Sequence, residues 1–518
     1  MQTIIRNRME ARKSQNELRL DRFNYPDDLS QPMLRGDAIK YELAGRTVGT
    51  AYGGIGLVHQ LVQELKLAEA IDARLHLFKI HLPYHESDHV LNLAYNVLCD
   101  GRCLEDLELR RQDEAYLNLL GASRIPDPTT AGDFCRRFQP QHLRALESAF
   151  DEARQQVWAR QPSEFFEVAH IDADGKTVAT DAECMQGIDI NHKGVWGYHP
   201  LVISLANTKE VLRLRNRPGN RPSHEGAAAL LDECLVLCRE AGFRKMVLRG
   251  DTDFSQTARL DGWHEQGDVE FVFGYDCGPH LHLLADDLPE SAWKPLERQP
   301  KDIVRTRPRA KPPRFKQQIV NERGFKDIRL VDEWVAEFEY RPTVCRHTYR
   351  MVVVRKNLSV SEPRQGRFFD DYRYFFYITN QWEPAAEEIV FSANDRCDQE
   401  NLLAQLNACR ALHAPVNDLL SNGAYMLMTS LAWNLKAWLA LWLPAEPGRW
   451  QERHQTQKQT LLACEFRTFV NRLMRIPCQV LSTGRQRVLR LIAWNDWQHV
   501  FFRLADALAR RIAHPLRC

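Results

Sequence analysis

Long apolar runs are missing from this 518-residue chain. No stretch reaches the roughly 18 consecutive apolar residues that a membrane-spanning helix needs, and residues 1–23 have no apolar core of the kind a secretory signal carries. The expected compartment is therefore the cytoplasm, with no membrane partner. A net charge of either sign is missing too: 69 Lys and Arg against 68 Asp and Glu leave +1. That is little for a protein meant to hold a polyanion, but the charge is unevenly spread. Residues 294–329 carry 12 Lys and Arg against 4 Asp and Glu, and residues 446–518 carry 13 against 5, so each segment is +8 and the remainder is −15. Charge segregated in this way attracts nucleic acid even when the total is neutral. Either segment alone reads equally well as a solvated face.

Metal-type cysteine spacing is sparse. Two pairs, Cys99/Cys103 and Cys234/Cys238, fall in helical patterns without a second pair or a suitable His. The 13 cysteines are expected to be mostly small core residues, with no disulfide framework. Internal repeats and low-complexity tracts are also absent. What is present is 44% apolar and 26% charged residues, the make-up of an ordinary folded protein. The length suggests about three domains.

Residues 1–45 are polar without a clear period and are expected to include a loose arm. From Gly54 the apolar spacing is helical, with Leu57, Leu61, Leu65 and Leu67 marking one helix and Val90, Leu91, Ala94, Val97 and Leu98 another. One helix is expected over 104–120, closed by Gly121. A turn at Ile125-Pro126-Asp127-Pro128 follows, and Thr129 or Thr130 would cap the next helix. A helix–turn–helix of this kind either reads DNA or packs a bundle. With a boundary near residues 161–163, residues 1–160 are expected to form a helical, DNA-binding N-terminal region.

Strand texture follows. Residues 165–172, 197–207 and 210–214 read as three strands, Ser223 as the cap of a helix running to Ala241, and 245–248 as a short buried strand. A helix at 256–266 and a strand at 269–274 complete the series. Three strands, helix, strand, helix, strand is the order of an RNase H-like core. In that fold one acid lies on the first strand, a second just beyond the fourth, and a third on the helix after the last. Asp174, Asp251 and Glu400 stand in those places. The 149-residue step from Asp251 to Glu400 is too long for a direct connection. A β-rich, basic insertion is expected over 277–371, with strand-like runs at 334–340 and 349–354 and an exposed loop at 299–316. The core resumes over 372–443, where 374–379 reads as a strand and 426–443 as a packing helix, and a basic helical region over 444–518 ends the chain. The expected fold class is α/β: an RNase H-like catalytic core (161–276 and 372–443) interrupted by a β-rich insertion, with helical N- and C-terminal regions.

Three carboxylates delivered in this way can hold a pair of Mg²⁺ ions, with Mn²⁺ as a substitute, over a phosphodiester. Asp172 and Asp174 share one strand face. Asp174, at the strand's edge before Gly175, is the favoured ligand, with Asp172 close behind as a further ligand or supporting group. Asp251 follows Met246-Val247-Leu248, and Gly250 allows close backbone approach. Asp253 is a candidate helix cap or outer-shell group. Each feature has a bland reading when taken singly: a D-x-D pair as a solvated turn, Arg396 and Glu400 as a surface ion pair one helical turn apart. Jointly the acids gain weight from their fold positions. Arg396, Asn401, Arg249, Arg307, Arg309 and Lys311 are the candidate DNA contacts. His170, His192, His199 and His224 read mostly as ordinary hydrogen-bonded residues.

With those residues in place, the chain resembles insertion-sequence transposases of the DDE superfamily, DDE domain group 1, over residues 50–440. The resemblance is carried by Ile171-Asp172-Ala173-Asp174-Gly175, Gly187-Ile188-Asp189-Ile190 and Gly194-Val195-Trp196-Gly197-Tyr198-His199-Pro200. It continues through Asn216-Arg217-Pro218-Gly219-Asn220-Arg221-Pro222, Leu248-Arg249-Gly250-Asp251 and the Arg396/Glu400 spacing. It implies a Mg²⁺-dependent cut-and-paste enzyme that binds the terminal inverted repeats of its own element. Such enzymes cleave both strands, often through a hairpin, and join the 3′-ends to target DNA, with a homodimer expected in the synaptic complex. Related enzymes often carry a tyrosine three residues before the arginine and a lysine about two turns after the glutamate. This chain has Ala393 and Asn407 there. The intact acids favour an active transposase over a catalytically silent DNA-binding descendant or a nuclease that cuts without joining.

Overall fold

A computed structural model describes residues 2–21, 48–80, 83–191, 193–298, 327–361, 372–483 and 486–512. Nine strands build one mixed sheet: β1 (Val168–Gly175), β2 (Leu201–Leu205), β3 (Glu210–Arg215), β4 (Lys245–Gly250), β5 (Val269–Tyr275), β6 (Lys294–Pro295), β7 (Asp327–Tyr340), β8 (Tyr349–Ser361) and β9 (Tyr372–Thr379). Their spatial order is β6-β7-β8-β9-β5-β4-β1-β2-β3. β1, β4 and β5 run parallel, and every other neighbouring pair is antiparallel. A parallel pair needs a crossover, which helices cover on the sheet faces. Hence the continuous apolar run Met246-Val247-Leu248 in β4, which is buried on both sides.

Six helices carry the site or support it: α1 (Glu86–Leu98), α2 (Pro140–Trp158), α3 (Ala227–Ala241), α4 (Ala386–Asp395), α5 (Cys397–Ala408) and α6 (Leu419–Trp442). α6 has 24 residues, about 36 Å at 1.5 Å per residue. It is buried all round and packs on α1, α2 and β3. One apolar core runs from Ile55 to Leu508, so the N-terminal helices, the sheet and the C-terminal region share an interior. Glu210, at the start of β3, ties three of these elements together. Its buried carboxylate accepts bonds from Arg154 Nε at 3.0 Å, Trp158 Nε1 at 2.8 Å, Trp438 Nε1 at 2.6 Å and Thr208 Oγ1 at 2.6 Å. Among the described residues no helix is long and apolar enough to cross a membrane.

Several local expectations change. β7 and β8 do not stand apart from the core: β9 pairs with β5, and β8 and β7 extend the same sheet outward. The strand expected over 197–207 is two strands, because Pro200 has no N–H with which to continue a ladder. Its first half, Trp196–Tyr198, joins Val178–Ala179 and Asp189–Ile190 in a small separate sheet. The helix expected over 104–120 breaks at Asp113 into Leu107–Gln112 and Glu114–Leu120. Asp113 is extended there and caps the second piece, accepting the Tyr116 N–H at 2.9 Å. Gly121 closes that piece with φ 75°. Asp127 rather than Thr129 or Thr130 caps Pro128–Cys135, and Gly226 rather than Ser223 precedes α3. Residues Gln2–Leu20 are helical. The C-terminal region contains a hairpin, Cys478–Thr483 with Gln486–Leu491, that pairs with Gly49–Thr50.

Candidate active site

Because β1 and β4 are parallel neighbours, their C-terminal ends emerge side by side. Asp174 is the last residue but one of β1, and Asp251 directly follows β4. Gly274 on β5 lets the chain beyond β4 pass close: a Cβ there would lie 2.6 Å from Thr252 N and 3.0 Å from the Asp251 carbonyl carbon. Asp251 itself, not Asp253, caps the 3₁₀ turn Thr252–Phe254, its carboxylate accepting the Asp253 N–H at 3.0 Å.

Glu400 arrives on the first turns of α5, and Gln399 fixes that helix in height. Gln399 is 1% exposed and donates to the Val202 carbonyl at 3.1 Å while accepting the Ser204 hydroxyl. Val202 is the β2 partner of Asp174, so the bond sets Glu400 relative to Asp174. Sequence reasoning passed over Gln399, although a signal existed. It shares the spacing of Leu402, Leu403 and Leu406, a strand-facing stripe in which one position is an amide.

Arg396, where α4 meets α5, lies between two of the acids. Its Nη1 is 3.5 Å from Asp174 Oδ2 and its Nη2 is 3.4 Å from Glu400 Oε1. Both contacts are long for charge-assisted pairs. Burial, the largest cause, lifts the Asp174 carboxyl from its ordinary 3.8 to about 6. Arg396 and the Gly175 N–H oppose the rise, while Asp251 and Glu400 add to it by repulsion. Asp251 is also raised, chiefly by burial, with Arg396 opposing and Asp253 and Glu400 reinforcing. The cluster therefore holds more negative charge than one guanidinium offsets. Oxygen-only donors in such a field fit a hard divalent cation in kind. Among the described residues no three His, Cys, Asp or Glu side chains already converge on a single ion position.

The structure places Asp172 and Arg249 elsewhere than expected. Asp172 is 1% and Arg249 4% exposed. They form a two-bond pair, Nε to Oδ1 at 2.6 Å and Nη2 to Oδ2 at 2.9 Å, and Arg249 Nη1 reaches the Ser392 carbonyl at 3.2 Å. Asp172 is thus spent on a buried ion pair rather than on a metal, and Arg249 has no face left for DNA. Asn401 is exposed, next to Glu400, and accepts a bond from Gln405 at 3.2 Å. Gln405 in turn accepts the Phe466 N–H at 2.7 Å, which commits it to packing. Arg307, Arg309 and Lys311 lie outside the described residues, as does His192. The cysteines among the described residues are free, and both members of the Cys234/Cys238 pair are buried, as is Cys99.

A mixed α/β fold with two aspartates at neighbouring strand ends, and a glutamate and an arginine brought beside them by helices, is the class the geometry defines. The chain belongs to the transposase DDE domain group 1 family, whose model matches residues 31–513. It is accordingly a DDE-family transposase, a kind of protein that works on DNA and generally uses divalent metals. Among solved structures it is similar to a piggyBac transposase synaptic complex with hairpin DNA, seen by cryo-EM. That likeness has 9% identity and a TM-score of 0.34, over 89% of this chain and 88% of that one. Among curated proteins none matches the chain.

Proposed function

We propose that the protein is an active DDE transposase on an RNase H-like core, moving an insertion sequence by cut-and-paste. The observation that carries this reading is the placing of Asp174 and Asp251 at the neighbouring C-terminal ends of β1 and β4, with Arg396 at 3.5 Å from Asp174 and 3.4 Å from Glu400. The order β3-β2-β1-β4-β5, with β4 and β5 parallel to β1 and β2 antiparallel to it, supports an RNase H-like core. A pair of Mg²⁺ ions, or Mn²⁺ in their place, would supply Lewis-acid activation of the attacking oxygen and charge relief at the leaving 3′-oxygen. Asp174 and Asp251 hold their carboxylates on strand ends that cannot shift without breaking sheet hydrogen bonds. Glu400 closes the group from α5. Arg396 and exposed Asn401 are set to contact phosphate beside the cut, where a guanidinium suits a phosphate oxygen pair.

In the reaction, water attacks the phosphodiester at each terminal inverted repeat, the P–O3′ bond breaks, and a free 3′-hydroxyl remains. That hydroxyl then attacks a target phosphodiester and displaces its 3′-oxygen. Two copies of the chain would hold the two ends together, acting on DNA in the cytoplasm. The test is an excision assay with a marker placed between the repeats that flank the gene. Excision by wild type and none by Asp251→Ala or Glu400→Gln is expected. Repeat binding without nicking by wild type in Mg²⁺ would instead indicate a silent DNA-binding descendant.

A further inference from the structure

Two arginines serve the acids at this end of the sheet, and they are held very differently. Arg249 is closed against buried Asp172 by bonds of 2.6 and 2.9 Å and donates a third to the Ser392 carbonyl. Arg396 makes one contact to each of two acids that come from different elements, at 3.5 Å to Asp174 on β1 and at 3.4 Å to Glu400 on α5. Among the described residues it is the only cation within ion-pair reach of Asp174, Asp251 or Glu400. Its side chain is 16% exposed and that of Glu400 59%, so this corner of the cluster opens to solvent, whereas the Arg249 pair does not. A guanidinium has more N–H groups than those two contacts use, which leaves donors for another anion.

Contacts of this length are loose. An ion pair open to water strengthens its geometry by a factor of about five at most, so the two together hold Arg396 in place by about tenfold. Its charge nonetheless falls where a divalent ion would be held. An ion bound to Asp174 Oδ2 at about 2.1 Å would lie within about 6 Å of Arg396 Nη1. Like charges that close repel across a half-buried site, so these acids serve the guanidinium or a divalent ion, but not both in full. A DNA phosphate resolves the competition, because paired phosphate oxygens match the guanidinium fork better than two separate carboxylates do.

Resting on the transposase reading, we propose that Arg396 is a resident counter-ion of the DNA-free protein, keeping divalent ions loosely held until a DNA phosphate draws it off the carboxylates. Binding of DNA and binding of the divalent ion are then coupled through one side chain, and each raises the affinity of the other by the same factor. The place of Arg396 at the joint between α4 and α5 suits this exchange. Gln399 anchors α5 to β2, so the guanidinium can leave without the helix that carries Glu400 following it.

The test titrates the full chain with Mn²⁺ and reads the free ion by electron paramagnetic resonance, with Asp251→Ala defining the binding that belongs to the carboxylates. Without DNA, Arg396→Gln should bind Mn²⁺ about tenfold more tightly than wild type. Arg396→Ala, a second neutral variant, should behave in the same way, and Arg396→Lys, which keeps the charge, should stay near wild type. The DNA probe is a saturating duplex of the flanking inverted repeat that ends at the cut, so that nothing remains to be cleaved. With it bound, the gap between wild type and Arg396→Gln should close. Conversely, Mn²⁺ should tighten the DNA binding of wild type about tenfold more than that of Arg396→Gln. Equal or weaker Mn²⁺ binding by both neutral variants without DNA would overturn the inference. So would a gap that persists with DNA, since that is the mark of general charge repulsion alone. If Asp251→Ala binds Mn²⁺ as wild type does in both conditions, the carboxylates hold no ion, and the transposase reading falls with the inference. Repeat cleavage by wild type beside an unchanged Mn²⁺ affinity in the neutral variants sinks only the inference.

Discussion

Asp174 occupies a place that penalises its own charge, so replacing it should make the metal-free protein more stable while ending catalysis. Raising its carboxyl from 3.8 to about 6, mainly by burial, disfavours the ionised form by roughly 3 kcal/mol, at about 1.4 kcal/mol per tenfold change in proton affinity. Asp174→Asn keeps the shape and removes the charge. The contact to Arg396 is already contained in that value, and burying an amide in place of the carboxylate lowers the net gain to about 1–2 kcal/mol. The folded-state value lies above the unfolded one, so the folded protein holds an extra proton between pH 3.8 and about 6. The penalty is complete above that window, absent well below it, and down to about a third of its full size near pH 4.5. Urea unfolding in chelator, at pH 7.5 and pH 4.5, reads this directly. The variant should be the more stable protein at pH 7.5, with most of the advantage gone at pH 4.5. Added Mg²⁺ should raise the midpoint of wild type more than that of the variant. A variant that is destabilised at pH 7.5, or whose gain is equal at both pH values, would refute the reasoning.

Two further substitutions separate scaffold from site. Arg249→Met strands the Asp172 carboxylate in a buried position and should cost about 3–5 kcal/mol in urea unfolding; a loss under about 1 kcal/mol would mean that the pair is open to water. Glu210→Gln sets an amide NH₂ against donors that all need an acceptor. It should cost about 3 kcal/mol, and an unchanged unfolding midpoint would show that the network does not bear on stability.

The order of core strands was readable because each parallel strand is buried on both faces and so appears as a short apolar run, as Met246-Val247-Leu248 does. The places of Asp174 and Asp251 at strand ends were readable for the same reason, since a charge that closes such a run is conspicuous. Features that depend on a partner far away in sequence were not. Nothing local says that β9 pairs with β5 and carries β7 and β8 into the same sheet. Nor does anything local say that Cys478 and Gln479 pair with Gly49–Thr50. Breaks also went unseen where one residue outweighs a period: Asp113 interrupts an otherwise continuous helical pattern, and Pro200 divides an apolar strand. Gln399 was hidden by type, because an amide beside two charged residues looks like surface until its partners on β2 are known.

The contrast between Asp172 and Asp174 shows what decides availability at a strand end. They stand two positions apart, about 6.6 Å along one face of β1, and strand alternation alone does not tell them apart. The deeper carboxylate is covered, at 1% exposure, and must carry its own counter-ion, which β4 supplies at the matching register as Arg249. The outer one lies beyond that cover, where the nearest cation is Arg396 at 3.5 Å, shared with Glu400. If both carboxylates were closed by short pairs, neither could receive a cation. If both were open, the sheet would hold an unpaired buried charge, at a cost of several kcal/mol. A buried pair one pleat behind an incompletely neutralised acid meets both demands. It also explains why the incompletely neutralised carboxylate sits at the last position but one of β1.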